Sequence, residues 1–429
     1  MIKDMETPYS SRLVSLCLAI AVVGVAAPGV RAAAAEGAGP HTAGQQVVRE
    51  GNLFVTATPH YLAETDISPE TTLLVADHME AVGAAYAGIL QGLGQLNIPR
   101  FRVRVYQRHA DYVELVGERN KNTVGLYVPG LRMLVASVGT DDLDLILGVL
   151  RHEGWHQFIH EVIEGIPPWA DEGLAEYFRH SRVAGERLIQ GEAPAMELRF
   201  VQRAYARRLT IPLARLMSFE AKEWARLRET DALLSSVAYC EAGLFVHFLL
   251  DGEGGRYRGL LYQYLLLLYR KTAPAQALKS VFAANVNDLQ MAWERYVVSL
   301  RPSPRYVCRD NLSCLGDILL NQSAGRKFTP MELLNALLKQ SLGKWMVGED
   351  RYRPIRSDRQ QEILEIFRCP EDIQAKGGIS YEFRYASPEA RLPEIICTHH
   401  QGYAIKLWYT HEERERRWVQ HVAEAKNDK

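Results

Sequence analysis

A chain of 429 residues, 47% hydrophobic and 24% charged, is globular and long enough for two domains. Its formal net charge of −1 argues against a nucleic acid or an acidic lipid surface as partner. No internal repeat, P-loop or heptad array is present, so the function has to be read from local motifs.

In chain order, Lys3 and Arg12 precede the apolar run LVSLCLAIAVVGVAAPGV, which Pro28-Gly29 breaks before the small-residue triplets VRA and AAA. Residues 1–34 therefore read as a signal peptide, and the protein as exported to a periplasm, cell envelope or medium. An uncleaved N-terminal anchor is the alternative, because the run approaches the shortest length that spans a bilayer. Cys17 lies inside the run without lipobox residues before it. The stretch RAAAAEGAGPHTAG reads as flexible, and residues 35–48 are assigned to a linker.

Residues 49–302 then form the candidate catalytic domain. LFVTATPHYLAETD reads as a strand, PETTLLVADHMEAVGAAYAGILQGL as an amphipathic helix, and RFRVRVYQ, by strict alternation, as a strand. TVGLYVPGLRMLVASVG is a further strand or hairpin. Apolar residues at three- and four-residue spacings make DDLDLILGVLRHEGWHQFIHEVIEG one long buried helix, closed by Gly165 before Pro167 and Pro168. From Pro194 to Leu300 the pattern is helical, and Pro302-Ser303-Pro304 ends the domain.

Residues 303–429 form a smaller α+β domain of unknown role. Helical TPMELLNALLKQSLGKWM and SDRQQEILEIF precede the alternating runs ISYEFRYA and YAIKLWYTH. Adjacent His399 and His400 point to opposite sides of a strand and make a poor metal site. Export permits disulfides. Cys240 lies in an apolar helix and reads as a buried thiol. Of three ways to pair the other four, Cys308–Cys314 with Cys369–Cys397 is preferred on spacing, with a fully reduced set as the alternative.

The chemistry concentrates in RHEGWHQFIH, residues 151–160. On a helix, His152 and His156 stand at i and i+4 with their imidazoles aimed at one point, and Glu153 sits beside it. This HExxH spacing suits two neutral imidazoles on Zn²⁺ and a glutamate that takes a proton from water. A hydrolytic zinc needs a third protein ligand. His160 is a poor choice, since three ligands over two helical turns span about 12 Å. The metzincin continuation also fails, because its offsets carry Ile159 and Val162. Gly154 costs about 1 kcal/mol against Ala inside a helix, which predicts close packing against another backbone there.

The better donors lie in GIPPWADEGLAEYFRH. A helix starting near Trp169 after the Pro-Pro turn returns Asp171, Glu172 and Glu176 toward the first helix. Glu172 completes a His, His, Glu set. Glu176, one turn on, suits the outer N–H of a ligand histidine, and Asp171 joins it in that outer layer. The competing reading is an acidic helix N-terminus favoured by the macrodipole alone.

HEGWHQ followed by PPWADEGLAEYF resembles the gluzincin metallopeptidases, and among them the peptidase-MA-like bacterial proteins with the W..EG.AEYF signature. The resemblance spans roughly residues 50–300. It implies a small mixed sheet followed by the HExxH helix and a helical subdomain. It also implies one zinc held by His152, His156 and Glu172, Glu153 as general base, Glu176 as the acidic residue after the third ligand, and a peptide or protein substrate. Gly154 and Asp171 depart from the usual pattern. By the same resemblance RMLVASV is the edge strand that pairs with an extended substrate, and Tyr239, in SVAYCEAGLFVHFLL, is the oxyanion donor. A core tyrosine is the other reading of Tyr239, and His247 is a weaker candidate for the donor. The alternative function is an envelope binding or scaffold protein whose zinc site is structural or a relic.

Overall fold

The computed structural model describes residues 46–94, 96, 98–139, 143–184, 187–322, 345–346, 352–353, 379–385, 390, 392–399, 403–412 and 417–425. The signal-peptide reading, nearly all of the linker, all but the last two residues of TPMELLNALLKQSLGKWM, the SDRQQEILEIF helix, Cys369 and His400 lie outside them. The fold is α+β, mostly helical with a small mixed sheet, and the chain divides into two units, Met1–Pro302 and Ser303–Lys429.

The first unit opens with β1 (Val48–Glu50), β2 (Leu53–Ala57) and β3 (Tyr61–Thr65). LFVTATPHYLAETD is thus a hairpin and not one strand. Pro59 has no N–H for a ladder, and Thr58 turns the chain by donating its N–H and hydroxyl to the Tyr61 carbonyl at 2.8 and 3.0 Å. Helix α1 (Pro69–Ile89) starts where Ser68 accepts from the Thr71 N–H at 3.1 Å, and it buries Val75, Met79, Val82 and Tyr86 at helical spacing. It is the crossover that sets β4 (Phe101–Tyr106) parallel to β3.

After α2 (His109–Val116) come β5 (Gly125–Val128) and β6 (Met133–Ser137), an antiparallel hairpin. The sheet order is β1-β2-β3-β4-β6-β5. RMLVASV is therefore an interior strand, contrary to the expectation. All five residues of β6 are buried, and the four apolar ones, Met133–Ala136, form a continuous run as befits a strand covered on both faces. The edge near the HExxH helix is β5.

Helix α3 (Leu143–Val162) carries the HExxH motif and α4 (Pro168–Arg179) the acidic one, with Pro168 in the first turn of α4. Gly154 does make room for a close neighbour, but that neighbour is side chain and not backbone. A Cβ there would stand 2.8 Å from Met79 Cε and 3.0 Å from the Tyr86 hydroxyl, which donates to the Arg151 carbonyl. Trp169, fully buried, anchors α4 against Phe245, Tyr264 and Phe282 at centroid distances of 5.6, 5.2 and 6.0 Å. Truncating such a side chain costs about 3–5 kcal/mol.

Beyond the β7 (Arg182–Ala184) and β8 (Arg187–Ile189) hairpin the unit is helical: α5 (Ala195–Ala206), α6 (Leu213–Ser218), α7 (Ala221–Thr230), α8 (Ala232–Asp251), α9 (Arg258–Tyr269), α10 (Pro274–Phe282) and α11 (Val286–Ser299). Helix α8 belongs to a segment long and apolar enough to cross a membrane, yet 83% of that segment's apolar window is buried inside the protein, as in a core helix.

Glu241 lies fully buried on α8, with Oε2 accepting from the Ile211 N–H at 2.9 Å and Oε1 without a hydrogen-bond partner. Burial pushes its carboxyl up to about 8, against the pull of that one N–H. Between the ordinary carboxylate range and pH 8 the folded chain holds a proton that the unfolded chain has released, so stability falls as pH rises through that window. Glu241→Gln keeps the acceptor and removes the titration. Thermal midpoints should rise by several degrees over wild type at pH 8.5 and match it at pH 5; an equal gain at both would show that the charge is not the cause.

The second unit comprises α12 (Pro304–Gln322), the strand pair β9 (Trp345–Met346) and β10 (Tyr352–Arg353), and an antiparallel meander of β11 (Ile379–Arg384), β12 (Glu394–His399), β13 (Tyr403–Glu412) and β14 (Arg417–Ala425). Trp345 and Met346 are thus strand where the sequence suggested the end of a helix. ISYEFRYA and YAIKLWYTH supply β11 and β13, and their partners β12 and β14 went unread. Helix α12 lies on the meander, where the Tyr409 hydroxyl donates to the Gly316 carbonyl at 3.3 Å. A Cys308–Cys314 bridge is ruled out: six residues along one helix separate the two by about 9 Å in rise, beyond the roughly 7 Å limit on Cα separation.

Candidate metal centre

His152 and His156 occupy successive turns of α3 on the side that faces α4, and the short Pro-containing link between the helices brings Glu172 over them. His152 Nε2 and His156 Nε2 are 3.2 Å apart, and Glu172 Oε2 lies 3.5 and 3.6 Å from them. Tetrahedral zinc with bonds of 2.0–2.1 Å sets its ligand atoms about 3.3 Å apart. Glu172 Oε2 is buried and has no hydrogen-bond partner in the protein. Three electron-pair donors thus converge on one point, and a cation there would satisfy all three. His152, His156 and Glu172 can hold a metal ion.

The outer edges of both imidazoles meet carboxylates. Asp171 Oδ1 takes the His156 Nδ1 proton at 2.9 Å, and Glu176 Oε1 lies 3.2 Å from His152 Nδ1, near enough for an ion pair though not aligned as a hydrogen bond. With those nitrogens facing carboxylates, each Nε2 is the atom left to ligate a metal ion. Burial alone would depress His152, but Glu172 and Glu176 outweigh it and hold the imidazole up at about 9. Burial would likewise raise Glu172, yet His156 and His152 hold it down at about 2. A cation bound at this point would have to displace the protons that these carboxylates hold on the imidazoles.

His160, Asp171 and His156 make a second convergence. Here Asp171 Oδ2 pairs with His160 Nε2 at 2.9 Å while Oδ1 serves His156, so each oxygen already has its donor. His160 is tied to the site through Asp171 and is half exposed. The spacing argument that excludes it as the third ligand does not disclose this link.

Glu153, buried on α3, accepts from the backbone N–H of Tyr127 at 3.0 Å. Tyr127 is on edge strand β5, and its N–H is directed to Glu153 and not to β6. One carboxylate oxygen of Glu153 is therefore pinned to the edge beside the candidate metal ligands. Tyr239 on α8 donates its hydroxyl to Glu172 Oε1 at 3.2 Å, on the oxygen that does not face the imidazoles. Burial and the Glu172 charge raise the phenol, so it stays a donor at neutral pH. His247 is no candidate for the oxyanion donor: its nitrogens are engaged by the Gly191 carbonyl at 3.1 Å and the Tyr296 hydroxyl at 2.7 Å.

Tyr239 reaches Glu172 because α4 and α8 cross on glycine. A Cβ on Gly173 would meet the Ala242 carbonyl oxygen at 2.7 Å, and one on Gly243 would meet Glu176 Cβ at 2.8 Å. Glu176 continues outward to Arg179 Nη1 at 3.4 Å and His180 Nε2 at 3.4 Å, and His180 lies 3.6 Å from Glu197. Glu176, His180, Glu197 and Tyr239 also border a cavity of about 20 Å³, room for a water.

The structure thus brings His152, His156, Glu172, Glu153, Asp171, Glu176 and Tyr239 together. The sequence does not point to Tyr127, His180 or Glu197, nor to the tie between His160 and Asp171. His180 carried a signal, standing four residues after Glu176 on the same helix; Tyr127 carried none, since its role depends on which strand is the edge. In comparison with known proteins, the chain matches no family model and no curated protein.

Proposed function

We propose that this protein is an exported zinc peptidase of gluzincin type, with its active site in the Met1–Pro302 unit. The observation that carries the reading is the convergence of His152 Nε2, His156 Nε2 and the unpartnered Glu172 Oε2, with Glu153 held on the same helix against an edge strand. Their spacing and donor set fit zinc. When bound, zinc would supply Lewis-acid polarisation of a carbonyl and make nearby water more acidic.

The chain's own residues do the rest. Glu153 takes a proton from the attacking water and returns it to the leaving amine. Its bond from the Tyr127 N–H leaves the other oxygen for that proton. An extended peptide adds to the outer side of β5 through the main-chain groups that Glu153 leaves open, where such pairing gives affinity without demanding a sequence. A purely structural metal site would gain nothing from a carboxylate pinned in this way.

The test is hydrolysis of an unfolded protein substrate by the purified full chain. Cleavage should stop on chelation and return with zinc. Cleavage indifferent to chelation would remove the metal from the reaction, and none at any zinc concentration would leave a metal-binding protein.

Tyr239 has two possible duties, oxyanion donor or clamp on Glu172, and Tyr239→Phe separates them. As an oxyanion donor its loss lowers kcat by about 10²-fold with zinc affinity unchanged. As a clamp its loss weakens zinc binding by about 10-fold. A wild-type result on both measures would reduce Tyr239 to packing.

A further inference from the structure

We propose that Cys308 and Cys397 form a disulfide that staples α12 to β12 within the second unit. Their sulfurs lie 2.7 Å apart, well inside the contact distance of two unbonded sulfur atoms, and both side chains are fully buried. They come from positions 89 apart in sequence, one in the second turn of the helix and one in an inner strand of the meander. Ile405 is the cross-strand partner of Cys397, and Leu312, Ile395 and Leu407 are further buried apolar residues of the same small unit. Small units with little core are where such staples are found in oxidising compartments.

The chemistry balances as exchange with a disulfide oxidant, either a thiol–disulfide oxidoreductase or oxidised glutathione. One cysteine thiolate attacks the oxidant's disulfide and releases one of its sulfurs as a thiol. The second cysteine then displaces the other, so the oxidant leaves as two thiols and the chain gains one S–S bond. Because the folded unit buries both sulfurs, the exchange precedes docking of α12.

The pairing also decides among the three connectivities. With Cys308 taken by Cys397, only Cys314 with Cys369 remains for a second bridge. The proposal is independent of the peptidase reading and stands or falls without any assay of activity.

The test is peptide mapping of the full chain, refolded in a mixture of reduced and oxidised glutathione and alkylated without prior reduction. The expected product is a linked pair of peptides carrying Cys308 and Cys397, which separates on reduction. Cys308 joined to Cys314 or Cys369, or both cysteines alkylated, would overturn it. Thermal unfolding gives a second readout. Cys308→Ser, Cys397→Ser and the double variant should lose the same amount from the transition of the second unit, on the order of 10 °C. Losses that add would show two separate packing roles and no bond.

Discussion

Glu153→Gln should retain about one zinc per chain while losing about 10²- to 10⁴-fold in peptide hydrolysis. The substitution changes little but the proton chemistry. Glutamine has the same shape, and its carbonyl oxygen can still accept from the Tyr127 N–H that now reaches Glu153 Oε2 at 3.0 Å, so β5 stays where it is. The other terminal atom becomes an NH₂ group, which has no lone pair available for a proton from water. Metal content by mass spectrometry and turnover on a peptide, measured on one preparation, separate the two consequences. Retained turnover would take Glu153 out of the reaction and with it the peptidase mechanism. Lost zinc would instead show that the carboxylate supports the metal, leaving its role in proton transfer open to a different variant.

The second large effect concerns the third ligand. Glu172→Ala should weaken zinc binding by roughly 10²- to 10³-fold, the share of one donor in a site whose total binding is about 10–16 kcal/mol. His160→Ala should cost no more than about 10-fold, since its hydrogen bond goes to Asp171 and not to the converging atoms of His152, His156 and Glu172. Competition against a chromophoric chelator measures both. The comparison discriminates because His156, His160 and Asp171 form a second convergent set. A large loss from His160→Ala with little from Glu172→Ala would move the metal to that set and away from Glu153.

What the sequence disclosed followed from distance along the chain. His152 and His156 are one turn apart, and Glu172 returns across a short proline-bounded link, so local geometry alone nearly closes the site. The edge strand was misassigned because edge or interior is decided by pairing between distant segments. The signal that β6 is interior, four consecutive apolar residues with no alternation, is present in MLVAS and is outweighed by the resemblance. Likewise Cys308 and Cys314 look paired by spacing until the helix between them is known. Residues that act through a backbone group, as Tyr127 does, leave no trace in side-chain chemistry at all.

The crossing of α4 and α8 sets a limit on what mutational data can say about this protein. Gly173 and Gly243 bear no functional group, yet a single methyl at either would stand under 3 Å from the other helix, against the Ala242 carbonyl oxygen or Glu176 Cβ. The intolerance of these two positions is therefore steric, inherited from the carboxylates and phenol that the crossing holds in register. Ranked by sensitivity alone, they would pass for reagents, while a half-exposed histidine such as His160 would rank below them. Telling chemistry from clearance at this site requires knowing what each substitution does to the metal and not only to the rate.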